Sequence, residues 1–559
     1  MSDGAARPDP LAPRLAIALA VALAAALVFL PVLRGQFLSW DDDTLLTRNL
    51  AFRGLGPAQL GWMVTTTRMG HYMPLTWLTF GATYVAAGMN PWAYHLGSLL
   101  LHALDAALVT WLAWRLIALA LARDGARAGA APLAVGAAVA GLTFGVHPLR
   151  AESVAWITDR SDLLCAAFVL LAVLAYVRAI EGADALRWRP WGILALLAMA
   201  AALLSKEIAV TLPAVMLVLD AYPLRRPIGW ARRLREKLPF LVLTVAGALV
   251  AALARSAGAR FSPFEQYGLG ARLAMAAYSL WYFVATTVWP SGLAPFHELP
   301  PRVDPLALRF LAPALAVVVV TAGLVRLRRR WPAGLAAWVA YAALLLPVSG
   351  LVHSGSQLVA ERYAYLPAVA LALLLGGAAA VAVRAAERAG RRAPAAALLA
   401  ALALVLVAWA TVARTHAGSW RDGFTFWQVS EAADPGCRLC VLNLSSEHFN
   451  AGRFAEAEAW ARRAIPLWPD RGSPHHRLGA ALLMQGRDAE SEQELREAIR
   501  LAPRLAEAHR ELGRLYARQG RAAEAATAMR EALLLGVSPA EVEAVLRPLD
   551  AAAPAAGSR

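Results

Sequence analysis

Long apolar runs separated by short polar stretches fill the first three quarters of this 559-residue chain. Runs near 15–33, 92–121, 132–147, 162–179, 190–204, 208–222, 238–254, 306–325, 333–348, 362–384 and 394–413 each read as a helical span. A bilayer core about 30 Å thick takes about 20 apolar residues at ~1.5 Å rise each. The stretch 272–290 is also apolar with a helical period. It ends in Trp289-Pro290 and a Pro-rich loop to Pro305, and reads as re-entrant or interfacial. The pattern therefore predicts an all-α protein whose residues 1–419 form a polytopic membrane domain of about 11–12 helices.

The pattern changes near residue 420. Residues 420–437 read as a linker with an aromatic cluster, and a repeat of period 34 follows. Leu444, Leu478 and Leu512 recur in register, as do Gly452, Gly486 and Gly520, and Ala464, Ala498 and Ala532. Pro469 and Pro503 close the first two units. This is the tetratricopeptide pattern, with small residues where paired helices touch and Pro at the turn between units. Three repeats with a capping helix at 538–550 are expected over 438–550, then a disordered tail at 551–559. Such stacks bind extended peptides in a concave groove, so a protein or peptide partner is expected there. His475 and His476 diverge by about 100° on a helix, which excludes a chelating pair, and they read as surface residues.

Charge supplies orientation. The chain carries a formal net charge of +15 and is 59% hydrophobic, with mean hydropathy +0.50. In such a chain basic residues report topology and contact with anionic lipid. Arg7 and Arg14 precede the first span, which lacks a small-x-small cleavage site and reads as retained. Arg123 and Arg127, Arg187 and Arg189, Arg225 to Lys237, Arg326 to Arg330, and Arg384 to Arg392 follow later spans. They place the N-terminus in the cytoplasm and the repeats outside. Nucleic acid is excluded as a partner, because no basic stretch accompanies a recognition module. Cys165 reads as a packing residue. Cys437 and Cys440 lack the second pair that a zinc site needs, which favours a local disulfide or an incidental pair over a redox or metal role.

In this topology the polar segments between spans fall on the outer face. They are 34–91, His147 to Glu152, Lys206-Glu207, 255–305, and Ser349 to Arg362. Ionisable groups near membrane depth are costly and are usually functional. The densest group is Asp41-Asp42-Asp43, just after the first span. Three adjacent carboxylates repel one another, so a metal ion, a cation or an acceptor's proton would stabilise them. The competing reading is a solvated helix cap.

The run His147 to Ile157 (HPLRAESVAWI), continued by Thr158 to Leu164 (TDRSDLL), resembles the signature of the transmembrane-and-tetratricopeptide O-mannosyltransferase family and its bacterial relatives. So do Leu204 to Glu207 leading to Thr211-Leu212-Pro213, and Glu361 to Pro367 (ERYAYLP). Tyr72-Met73-Pro74-Leu75-Thr76 resembles the first-loop motif, and His95 to His102 the start of the second span, with Ser98 where some relatives carry Asn. The resemblance covers almost the whole chain. It implies a GT-C glycosyltransferase fold in a bacterial inner membrane, using a polyprenyl-phosphate sugar as donor on the outer face. The catalytic acidic pair of the family maps to Asp41 and Asp42, with Asp43 as a substitute.

On that resemblance Arg160, Lys206 and Arg362 are expected to hold the donor phosphate. Asp41 or Asp42 would take the acceptor hydroxyl's proton in an inverting displacement. His147, Glu152, Asp162, Glu207 and Glu361 would bind sugar hydroxyls or fix the cations, and His71 and Tyr72 would lie toward the acceptor. No cofactor is required by this reading, and a divalent metal at Asp41 and Asp42 is left open. Two alternatives remain: a non-catalytic membrane scaffold whose repeats recruit envelope proteins, and a ligase of the same fold with a glycan acceptor.

Overall fold

The computed structural model describes residues 11–122, 129–181, 186, 190–257, 266–352, 355–390 and 392–552. Arg7, Arg123, Arg127, Arg187, Arg189 and Arg391, and the tail from 553, lie outside the described residues. The chain divides into two compact units. One is residues 1–295 with 299–422; the other is 296–298 with 423–559.

The first unit is helical. Its principal apolar helices are α1 (Leu11–Phe29), α2 (Pro91–Ala122), α3 (Ala130–Gly145), α4 (Arg160–Ile180), α5 (Pro190–Ser205), α6 (Leu212–Ala221), α7 (Leu238–Ala257), α8 (Leu269–Val288), α9 (Leu308–Leu327), α10 (Pro332–Leu345), α11 (Ala368–Arg388) and α12 (Arg392–Ala417). Among the described residues seven helices are long and apolar enough to cross a membrane. An eighth is added if α3 and the following segment Pro148–Ala155, bent by 59° from it, form one span.

Large apolar side chains cover the outside of these helices. Leu19 and Leu23 on α1, Val242 and Leu253 on α7, and Leu404 on α12 are all exposed. Water would penalise that surface and lipid does not. The chain is an integral membrane protein. Inside, small residues permit close crossings. A Cβ on Gly376 of α11 would come within 2.3 Å of the Gly136 carbonyl oxygen on α3.

Three expectations change. The run 208–222 is not a span: Glu207–Thr211 is one tight turn, and α6 after it has ten residues, about 15 Å of rise. At sixteen residues α5, and at fourteen α10, read as the spans 190–204 and 333–348, are short of full span length as well. The run 272–290 is one unbroken helix of twenty residues, α8, which sets aside the re-entrant alternative and leaves the interfacial one.

The second unit is a stack of helices. Residues read as a linker contain a helix, Gly423–Ala433, which is part of this unit. Three antiparallel pairs follow: Arg438–Asn450 with Phe454–Leu467, Gly472–Met484 with Asp488–Leu501, and Ala506–Arg518 with Ala522–Leu534. Helix Pro539–Ala552 comes last. Gly452, Gly486 and Gly520 turn each pair with φ of 73°, 78° and 73°, a conformation that penalises any residue with a Cβ. Cys437 and Cys440 form a disulfide at the start of the first pair. His476 is buried, not at the surface, while His475 pairs with Glu494 at 2.7 Å.

Candidate functional site

A cavity of about 370 Å³ lies within the first unit where six helices end. Trp40 and Asp41 follow α1, Lys206 follows α5, and Arg255 closes α7. Val348 follows α10, Asp159 and Asp162 open α4, and Arg362 precedes α11. Helices of alternating direction thus bring their polar ends to one side.

The loop after α1 is held firmly. Leu45, Phe52, Met63, Trp77 and Tyr94 form an apolar cluster with Ile157. The chain turns sharply above it. Asp41 has φ 58°, a left-handed conformation that Asp tolerates better than most residues. The Leu45 N–H donates to the Asp41 carbonyl at 2.8 Å and closes the turn. Asp41 then lines the cavity.

Asp42 does not. It is fully buried, and the Leu38 N–H donates to Oδ2 at 2.9 Å. The Thr158 N–H donates to Oδ1 at 3.1 Å, and the Thr158 hydroxyl donates to the same oxygen. Burial pushes the Asp42 carboxyl up to about 7, although these hydrogen bonds favour its ionised form. Asp43 is turned inward to its own helical turn. It accepts from the Thr44 N–H at 2.6 Å, pairs with Arg48 at 3.4 Å, and lies outside the cavity lining. The acidic pair read from sequence therefore separates into one residue facing the cavity and one supporting it.

Each cation in the lining has an acidic neighbour. Lys206 Nζ lies 3.1 Å from Asp159 and 2.8 Å from Asp162. Burial alone would lower the ammonium pKa, but the two carboxylates hold it above its ordinary value. Arg255 lies 2.5 Å from Glu207, and His71 Nδ1 lies 3.3 Å from the same carboxylate oxygen. Burial would raise Glu207; His71 and Arg255 instead hold it well below the usual carboxylate range. Arg362 donates through its guanidinium to Glu152 and at 3.1 Å to Gln357, and its backbone N–H reaches Glu152 at 2.9 Å. Its guanidinium also sits 5.2 Å above the Trp156 ring.

Of the expected residues, the cavity gathers Asp41, His71, Asp162, Lys206, Glu207 and Arg362. Glu152 lies behind them and orients Arg362. Four others serve elsewhere. Arg160 is buried and donates to the Thr79 and Tyr94 carbonyls and the Thr83 hydroxyl, with Phe80 4.6 Å from its guanidinium. It locks the helix Pro74–Ala87 and α2 to α4 and does not reach the cavity. His147 accepts from the Leu149 N–H at 3.2 Å, lies 3.1 Å from the Thr287 carbonyl and packs on Trp409. Glu361 binds His416 at 2.8 Å. The Tyr72 hydroxyl donates to the Val64 carbonyl at 3.0 Å.

Asp159, Arg255, Gln357 and Tyr363 also line the cavity and were missed. Asp159 stands in the TDRSD motif, where its spacing to Asp162 puts both at the start of α4. Among the described residues, no group of three or more His, Cys, Asp or Glu could hold a metal ion. Asp41 and Asp42 do not point the same way: Asp41 lines the cavity, and Asp42 is buried on Thr158 and Leu38.

A family model described as a tetratricopeptide repeat matches residues 439–468. Protein O-mannosyl-transferase Tmtc1 of Drosophila melanogaster is 36% identical over 151 residues, 27% of this chain and 15% of that protein. Protein O-mannosyl-transferase TMTC2 of Mus musculus is 34% identical over 170 residues, covering 30% and 18%. Protein O-mannosyl-transferase TMTC4 of Homo sapiens is 31% identical over 201 residues, covering 33% and 26%. The matched stretch is thus no more than about a quarter of these relatives' own lengths. Among solved structures there is a looser likeness to ArnT from Cupriavidus metallidurans bound to undecaprenyl phosphate. It has 17% identity and a TM-score of 0.38, covering 89% of this chain and 81% of that one. Over roughly a third of its length this chain is similar to proteins named protein O-mannosyl-transferases, and a short stretch near the start of its second unit matches a tetratricopeptide repeat.

Proposed function

We propose that the chain is a membrane glycosyltransferase of the GT-C type that moves a sugar from a polyprenyl-phosphate carrier to an acceptor hydroxyl, a Ser or Thr of a protein, on the outer face. The observation that carries this reading is Asp41 sharing one cavity with Lys206, Arg255 and Arg362. A carboxylate that can take a proton and cations that can receive a phosphate are the two groups the reaction needs. The names of the relatives, protein O-mannosyl-transferases, support mannose as the sugar to test first.

The acceptor oxygen attacks the anomeric carbon and forms the new glycosidic bond. The bond from that carbon to the phosphate oxygen breaks, and its electron pair leaves with the lipid phosphate. Asp41 takes the hydroxyl proton. Arg362 and Lys206 face the growing phosphate charge, each held in place by its carboxylates. One displacement inverts the anomeric configuration. The tetratricopeptide unit binds the protein acceptor.

The test uses full-length protein in lipid with polyprenyl-phosphate sugars, mannose first, and follows lipid-phosphate release and labelled sugar on peptides carrying Ser and Thr. Sugar transfer to peptide supports the reading. Transfer to saccharides alone favours the glycan ligase. Protein binding at the repeats without donor binding favours the scaffold.

A further inference from the structure

A second cavity, about 630 Å³ and mostly apolar, lies in the first unit and approaches the polar one at Leu344 and Leu366, a turn from Pro347 and Tyr363. It follows α10 from Pro332 to Leu344, and α11 from Leu366, just before the helix, to Ala385 near its end. The helical lining from Val369 to Ala385 alone gives it a length of about 24 Å, most of the hydrocarbon thickness of a bilayer. The polar cavity lies at the C-terminal end of α10 and the N-terminal end of α11, so the two cavities differ in where their charges sit.

The charge here is at the opposite end. Arg225, after α6, and Arg330, before α10, both line the groove and both are exposed. Among the described residues neither pairs with a carboxylate. The turn that carries Arg225 is fixed by a buried ion cluster. Asp220 receives Lys237 at 2.7 Å and Arg226 at 3.3 Å, and Arg226 also reaches Glu236 at 2.5 Å. The Arg226 N–H donates to the Asp220 carbonyl at 2.9 Å, and Arg225 between them is held at φ 44°. A non-Gly residue in that conformation is strained and is kept by its surroundings. The cluster thus holds a cation at the mouth of an apolar groove.

We propose that this groove binds one anionic phospholipid from the leaflet opposite the polar cavity. Its headgroup phosphate lies on Arg225 and Arg330, and an acyl chain runs along α11. Two guanidinium groups that lack a carboxylate partner among the described residues, Arg225 resting 5.3 Å over the Tyr222 ring, and a mostly apolar wall complement a phosphate with a hydrocarbon tail. The proposal does not depend on the transferase reading.

The test is native mass spectrometry of the full-length protein in mild detergent, titrated with phosphatidylglycerol or phosphatidylcholine of equal chain length. One phosphatidylglycerol is expected to bind and phosphatidylcholine is not. Arg225→Gln with Arg330→Gln should weaken binding about 25-fold, since each surface cation contributes roughly fivefold. Gly377→Leu should abolish binding by filling the groove. A Cβ there meets no atom within 4 Å, so its melting temperature should stay at the wild-type value. Equal binding of both lipids, or wild-type binding by the double variant, would overturn the proposal. Displacement of phosphatidylglycerol by a polyprenyl phosphate, one for one, would also overturn it and assign the groove to the donor's tail.

Discussion

Thr158 holds Asp42 by its backbone N–H, at 3.1 Å, and by its hydroxyl, both on the same carboxylate oxygen. The two residues are 116 positions apart. Their contact docks the loop after α1 against the start of α4, and Asp41, one residue before Asp42, is thereby set at the cavity wall. Thr158→Val keeps the backbone bond and removes the hydroxyl. It should destabilise the protein by about 1 kcal/mol. It should also lower donor turnover, because Asp41 loses its support. Thermal melting beside a turnover assay checks both parts.

Asp42 also sets a pH dependence. Its carboxyl is raised by burial from 3.8 to about 7, so the folded state holds the proton more tightly than the unfolded chain. Below about pH 4 both states are protonated and this stabilisation is fully present. It is lost as pH rises toward 7, and stability is flat above that. The amplitude is on the order of a few kcal/mol. Asp42→Asn cannot titrate. The wild-type stability relative to this variant should therefore fall between pH 4 and pH 7. Parallel curves across that range would contradict the assignment.

Lys206 separates two carboxylates that would otherwise repel. Lys206→Met should cost about 3 kcal/mol, because Asp159 and Asp162 are left buried without a counter-ion. Adding Asp162→Asn should restore part of the stability and none of the donor turnover. A double-mutant cycle in melting free energy, run beside the turnover assay, separates the two roles.

Arg362 and Arg160 were equivalent on sequence grounds and differ in structure. Arg362→Lys loses a planar group shared between Glu152, Gln357 and the Trp156 face. It should weaken donor binding by about tenfold, with a smaller fall in melting temperature than Arg160→Lys because the ammonium still pairs with Glu152. Arg160→Lys leaves the Thr79 and Tyr94 carbonyls underdonated, so it should lower the melting temperature and leave donor affinity per folded molecule intact. Titration with a polyprenyl phosphate distinguishes them.

The helical membrane class and the repeat unit were legible because each rests on a local period. A left-handed Gly every 34 residues and an apolar run of span length are read without knowing what they touch. The run 208–222 misled because composition cannot register a break. Glu207 there is drawn to His71 and Arg255, and the chain makes a tight turn before α6 can start. Arg160 misled because a cation in a polar motif looks the same whether it faces a cavity or packs on Phe80. Arg255 was passed over for the opposite reason: it ends an apolar run and carries no motif. Which aspartate of the triplet faces the cavity depends on a backbone reversal at Asp41 and on a threonine 116 residues beyond Asp42. No local pattern encodes that.

The most direct measurement is lipid-phosphate release from polyprenyl-phosphate mannose by full-length Asp41→Asn in lipid, beside wild type and with melting temperatures for both. The expected result is a loss of about 10²–10⁴-fold in turnover, the range for removing a general base, with unchanged melting. Wild-type turnover by a folded Asp41→Asn would contradict the assignment of Asp41 as the group that takes the acceptor's proton.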